Sequence, residues 1–260
     1  MADYRDLWSN LGMDLEKHDL LCEALPQLYG GVYLIQENRP EGMNYYNFVV
    51  SEVHGLRIKE LDDHKKAGGK VVGTFCVFVP DELIIAAGAI GVGLCGGSQF
   101  WIEDGEKVLP RNLCPLVKAI VGAKISGTCP YFQSCDLLTG ETTCDGKKKA
   151  YEVLGEYAPI YVMDLPQMKR DKDYKKWEEE IYEYKAVLEE LTGNKITEEK
   201  LSEAIKLCNR KRAALQRLYN ARKVLNVPIS GKDVLLVSQI AFYDNPERFI
   251  EMTNKLCDEL

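Results

Sequence analysis

Between residues 70 and 163 short apolar runs alternate with amphipathic segments, and this alternation restricts the fold more than any other feature of the chain. Lys70-Val71-Val72-Gly73-Thr74-Phe75 is β-branched and aromatic, the pattern of a buried strand. Residues 79–87 then read as a helix, with Pro80 at its start and Asp81 and Glu82 in its first turn. Residues 89–94 predict a second strand and 114–121 a second helix. A third strand follows at 136–140, a third helix at 147–157 and a fourth strand at 160–163. Strands separated by helices require a parallel sheet with right-handed crossovers. The predicted fold class is therefore α/β, with a Rossmann-like parallel sheet domain over residues 68–167.

The flanks are helical. Residues 14–25 space their apolar side chains at helical intervals, and 52–66 predict another helix stopped by Gly68-Gly69. An N-terminal helical region thus covers 1–67. A second helical region covers 168–260, with long charged helices over 172–225 broken at Thr192-Gly193-Asn194. A connection and one more helix are expected in 226–260. Neither an internal repeat nor a low-complexity segment is present.

Of 260 residues, 46% are hydrophobic and 28% charged, which excludes a disordered tail or a fibre. The formal net charge of -7 argues against a general electrostatic grip on nucleic acid. No apolar run reaches the roughly 18 residues a membrane span needs. The opening Met1-Ala2-Asp3-Tyr4-Arg5-Asp6 does not resemble a secretory signal, so the expectation is a cytoplasmic protein.

Nine cysteines in a reducing compartment need an explanation other than disulfides. Cys22, Cys208 and Cys257 are scattered through predicted helix and read as small buried hydrophobes. Cys76, Cys114, Cys129 and Cys144 fall at predicted strand–helix junctions, two of them directly before Pro115 and Pro130. In an open parallel sheet the strand-to-helix loops gather on one edge, where ligands bind. Helix N-termini favour thiolates and anionic ligands, so four sulfurs meeting there suit a soft metal or an iron–sulfur cluster. The plainer alternative is four separate core cysteines. Cys95, before Gly96-Gly97, and Cys135, just ahead of the third strand, rank below these four. The chain has no Cys-x-x-Cys pair of the kind found in zinc ribbons.

The stretch from Lys70 to Cys76, with Pro80-Asp81-Glu82-Leu83 and Ala86-Ala87-Gly88, resembles the 2-hydroxyacyl-CoA dehydratase and benzoyl-CoA reductase superfamily. Leu94-Cys95-Gly96-Gly97, Leu109-Pro110-Arg111-Asn112-Leu113-Cys114-Pro115, Cys129-Pro130-Tyr131-Phe132 and Gly140-Glu141-Thr142-Thr143-Cys144-Asp145-Gly146-Lys147-Lys148-Lys149 are most similar to its double-cubane cluster branch. The resemblance runs from about His54 to Pro166. It implies an iron–sulfur reductase of small molecules, fed low-potential electrons by an ATP-hydrolysing iron–sulfur activator protein, and a homodimer. By motif position it implies Cys76, Cys114, Cys129 and Cys144 as ligands of an [Fe8S9] double cubane. In the dehydratase branch the cofactor would be a single [4Fe-4S] cluster, and the chain a dehydratase subunit. Members of the family carry a second α/β domain, expected about where this chain ends. A double cubane wants about six thiolates, more than these four. A non-catalytic cluster carrier or metal-stabilised scaffold is the remaining alternative.

No catalytic residue is assigned from the sequence. His54 is a candidate proton donor, although a single histidine on a helix is more often packed. Glu82 and Glu141 are candidate proton relays, and Glu82 is equally well explained by the helix dipole. Lys147-Lys148-Lys149 opposes the dipole of its helix and either balances cluster charge, meets an acidic partner or is simply solvated. Gly88, Gly91 and Gly93 lie within the second strand region, which argues against a nicotinamide site.

Overall fold

The computed structural model describes residues 4–94 and 97–260. Its helices before the sheet are α1 (Arg5–Asn10), α2 (Leu15–Tyr29), α3 (Met43–Ser51) and α4 (Leu56–Lys66). Strand β1 (Val71–Thr74), α5 (Asp81–Ala86) and β2 (Ile90–Gly93) follow. Next come α6 (Ile102–Gly105), α7 (Pro115–Ile125), α8 (Pro130–Ser134) and β3 (Leu137–Glu141). The chain continues through α9 (Asp145–Leu154), β4 (Ile160–Met163), α10 (Asp171–Thr192), α11 (Glu198–Ala221), α12 (Gly231–Ile240) and α13 (Pro246–Glu259).

All strand pairings are parallel and the order is β2-β1-β3-β4. Thr74 pairs with Gly93 on one side and Thr139 on the other, so the carboxyl ends of the strands share one edge. The chain runs from β1 outward to β2 and from β3 outward to β4. The connections therefore diverge between β1 and β3, and that switch point opens a crevice at the carboxyl edge.

Alternation along β1 divides the core. Val71 joins Ile58, Leu61, Ile120, Phe132, Leu138 and Tyr151 on one face. Val72 joins Ile84, Met163, Tyr184, Leu188 and Ala204 on the other. Helices α4, α7, α8 and α9 thus cover one side, and α5, α10 and α11 the other. Each fully buried aliphatic side chain contributes about 1.5–3 kcal/mol. A third cluster joins Met43, Tyr46 and Val50 of α3 to Leu218, Val237, Ile240, Phe249 and Leu256. Segments far apart in sequence are tied there by charge as well. Arg39 pairs with buried Asp233 at 2.7 Å, and Arg248 pairs with Glu60 and with buried Asp244, each at 2.6 Å.

The four predicted strands are all present. The helix expected over 52–66 starts four residues later: α3 ends at Ser51, a turn follows, and α4 runs from Leu56 to Lys66. The turn between them is pinned by the Trp8 indole N–H, which donates to the His54 carbonyl at 2.7 Å. Its end matches expectation, since Gly68 adopts φ +90 and Gly69 N–H donates to His64 O at 2.9 Å. The segment 226–260 holds two helices rather than one, because Asn245 caps α13 with Pro246 in its first turn. Among the described residues no helix is long and apolar enough to cross a membrane.

Candidate metal centre at the carboxyl edge of the sheet

Three of the predicted cysteines occupy the switch-point edge. Cys76 follows β1 in a turn closed by Val79 N–H donating to the Cys76 carbonyl at 3.2 Å. Phe75 beside it stacks on Tyr151 of α9, with ring centroids 5.5 Å apart. Cys114 is the N-cap residue of α7 and Cys144 that of α9, and both are exposed. The backbone N–H of Lys147 donates to Cys144 Sγ at 3.4 Å, the usual N-cap contact made by sulfur.

Packing between α7 and α9 brings these two caps side by side. Val117 and Val121 of α7 share a cluster with Ala150 of α9, and Leu113 and Val153 pack against it. Leu113 Cδ1 lies 3.0 Å from the position a Cβ on Gly146 would take, and Cys144 Sγ lies 3.9 Å from it. The approach to Cys114 is held by Lys118, one turn into α7 and nearly buried. Its ammonium donates to Arg111 O and to Glu106 Oε1, each at 2.7 Å. That contact, ahead of Arg111, holds the Glu106 carboxyl below its ordinary value.

Glu141, the last residue of β3, is fully buried behind this rim. It pairs with the Lys147 ammonium and accepts hydrogen bonds from Thr143 Oγ1 at 2.9 Å and Tyr151 Oη at 3.3 Å. Burial pushes the Tyr151 phenol well above its ordinary value, with Glu141 and then Cys76 adding to the effect. Cys76 and Glu141 are thus both electrostatic neighbours of one hydroxyl. Gly140 makes this possible, since a Cβ there would sit 2.5 Å from the Tyr151 ring. Sequence reasoning does not single out Lys147 or Tyr151 as partners of this carboxylate; the glycine directly before a strand-end glutamate is the available signal.

Cys129 is placed elsewhere. The sequence pattern sets it on a strand-to-helix loop, but it caps α8, on the path from α7 into β3 and so toward the opposite edge. It is buried in the core, and burial pushes its thiol up to about 11. Cys135 is its neighbour, donating through its thiol to Tyr131 O at 3.1 Å and facing Gly73 of β1. Burial, then Cys129, raises the Cys135 thiol further. Cys95 lies outside the described residues. Cys208 is buried, whereas Cys22 and Cys257 are half-buried. None of the eight described cysteines is in a disulfide.

The weaker sequence candidates find structural partners. Glu82 pairs with Arg212 at 2.6 Å. Lys148 meets Asp145 at 3.5 Å and Lys149 meets Glu152 at 2.7 Å, so the lysine run is matched by carboxylates. His54 stacks on His18, with centroids 5.1 Å apart. A cavity of about 280 Å³ opens beside β2, lined by Thr74, Asp81, Gly93, Lys211 and Phe242, and includes none of the rim cysteines.

Known proteins share this arrangement of sequence. Residues 76–260 match the profile of the 2-hydroxyglutaryl-CoA dehydratase D-component. The chain is 46% identical over 176 residues to the putative dehydratase subunit YjiM of Escherichia coli K12, covering 67% of this chain and 46% of that protein. It is 24% identical over 208 residues to the beta subunit of (R)-2-hydroxyglutaryl-CoA dehydratase of Acidaminococcus fermentans, covering 77% and 53%. It is 26% identical over 186 residues to a benzoyl-CoA reductase subunit of Thauera aromatica, covering 69% and 46%. The chain spans about half the length of these relatives. It belongs to the 2-hydroxyglutaryl-CoA dehydratase D-component family, within the 2-hydroxyacyl-CoA dehydratase and benzoyl-CoA reductase superfamily.

Proposed function

We propose that this chain is the cluster-bearing part of a dehydratase or reductase subunit, with Cys76, Cys114 and Cys144 holding an iron–sulfur cluster at the switch point. The observation that carries the reading is the placement of Cys114 and Cys144 as neighbouring N-cap residues of α7 and α9, with Cys76 on the loop that leaves β1 at the same edge. Their donor chemistry fits the group, because accessible thiols at helix N-termini favour an anionic iron–sulfide ligand set. The three sulfurs do not all lie within 4.8 Å of one another, and thiolates on different irons of a cubane need not.

Three thiolates suit a single [4Fe-4S] cubane with one iron left for a further ligand. The double cubane would draw the rest of its about six thiolates from residues beyond this rim. When bound, the cluster would supply single low-potential electrons to a small substrate. Relatives named as dehydratase and benzoyl-CoA reductase subunits support an acyl-CoA thioester as the substrate class. The electron source in this reading is the ATP-hydrolysing iron–sulfur activator that the sequence resemblance implies. Being named subunits, they also support assembly with a further chain.

The chain's own residues would do the rest. Lys118 holds the loop that leads to Cys114, and the Lys147 amide orients Cys144. Val77 and Phe78, both exposed, form an apolar lip next to Cys76. Glu141, which accepts from the Tyr151 hydroxyl, would serve as the proton relay behind the rim.

Iron and acid-labile sulfide analysis on anaerobically purified protein tests this reading. About four irons per chain are expected, and about eight would replace the single cubane with the double one. Iron content unchanged after Cys114→Ser and Cys144→Ser together would overturn the placement.

A further inference from the structure

A second group of metal-binding side chains lies away from the rim. His18 and Cys22 stand four residues apart on α2 and so share one face, one turn apart. His54, in the turn ahead of α4, faces them. His18 Nε2 lies 2.9 Å from His54 Nδ1, and Cys22 Sγ lies 3.6 Å from His18 Nε2. Among the described residues this is the one group of three His, Cys, Asp or Glu ligand atoms lying mutually within 4.8 Å.

We propose that His18, Cys22 and His54 form a zinc site that fastens α1 and α2 to the turn before α4. Tetrahedral zinc, with bonds of about 2.0–2.1 Å to nitrogen and about 2.3 Å to sulfur, sets nitrogen pairs about 3.3 Å apart and nitrogen–sulfur pairs about 3.5 Å apart. The separations from His18 to His54 and to Cys22 need only a small opening of the two imidazoles, and the third pair lies within 4.8 Å. The hydrogen-bond contacts that His18 makes with His54 and with Cys22 already hold the three ligand atoms together.

The surroundings favour the ligating forms. His18 is fully buried, and burial holds both imidazoles below their ordinary value, His54 down to about 3, so both stay neutral. Burial raises the Cys22 thiol, and a bound metal would remove that proton outright. Trp8 sets the geometry from outside. Its ring meets His18 edge-on with centroids 4.3 Å apart, and its indole N–H fixes the His54 carbonyl. The nitrogen–sulfur donor set selects zinc rather than a hard cation. With three ligands from the protein, the fourth position takes water.

Zinc measured beside iron in the purified protein tests the site independently of the rim. About one zinc per chain is expected, and it should persist when Cys76, Cys114 and Cys144 are all changed to serine and the iron is lost. Cys22→Ser and His54→Gln should each weaken zinc, measured by competition with a chromophoric chelator, beyond the about 10–100-fold typical of losing an outer-shell partner. Cobalt loaded into chelator-stripped protein should show a thiolate-to-metal charge-transfer band that Cys22→Ser removes. That spectrum decides the matter even if the histidine variant does not fold. Absence of the band in the wild-type chain, or equal zinc retention in Cys22→Ser, would overturn the proposal.

Discussion

Strand β3 has cysteines beyond both of its ends, and the two groups differ in almost every physical respect. Beyond its carboxyl end Cys144 caps α9 in the open, beside exposed Cys114 and half-buried Cys76. Before its amino end Cys129 and Cys135 sit in apolar packing, their thiols held protonated by burial. Both Cys114 and Cys129 precede a proline at a helix start, and both read identically in sequence. The difference lies in what the capped helix leads to: α7 descends from the rim, whereas α8 feeds into β3. The first position leaves its thiol exposed at the rim, and the second encloses its thiol in core packing.

Exchanging the roles of the two groups should fail, beginning with the largest effect. Cys114→Ser with Cys144→Ser should abolish cluster assembly, read as loss of iron and of visible absorbance. Thermal stability of the apo chain should move within about 0.5 kcal/mol, as expected for exposed positions. Next is Lys147→Met, which leaves Glu141 buried without its cation. Removing one partner of a buried pair costs about 3–5 kcal/mol, measurable by urea unfolding. A loss below the scale of surface changes would show that the Glu141 network plays no part in holding the rim.

Smaller effects belong to the buried pair. Cys129→Ala should cost about 1 kcal/mol through the small cavity it leaves in the core, and should leave iron content unchanged. Iron loss in that variant would move Cys129 back to the rim set. The pH response sharpens the contrast further. The folded-state Cys129 thiol lies above its ordinary value of 9.0, at about 11. Below pH 9 both folded and unfolded chains keep the proton. Between 9 and 11 only the unfolded chain releases it, so stability falls as pH rises through that window. Denaturant midpoints followed from pH 8 to 11 should decline less steeply in Cys129→Ala than in the wild type.

Local pattern is enough for the sheet. Val71-Val72, Leu137-Leu138 and the run 160–163 are short, β-branched or apolar, and bounded by turn residues, so each of these strands can be read alone. Helix boundaries are less legible. The turn over residues 52–55 depends on Trp8 and Tyr4 arriving from α1 and its start, and no local signal announces a contact from that distance. The lysine run at 147–149 opposes its helix when read alone, yet Glu141, Asp145 and Glu152 neutralise it once the chain is folded. His54 has no partner in sequence because His18 lies on α2, 36 residues earlier in the chain.

By itself the sequence determined a parallel α/β sheet, its helical flanks, the family, and a set of cysteines at helix starts. These follow from periodicity, capping and motif, all of which act over a few neighbouring residues. Only the tertiary structure decided which cysteines share an edge, because strand order and helix direction arise from packing between segments distant in the chain. It divided four similar Cys junctions into three at the crevice and one in the core. It also set two histidines and a thiol from separate segments against one another.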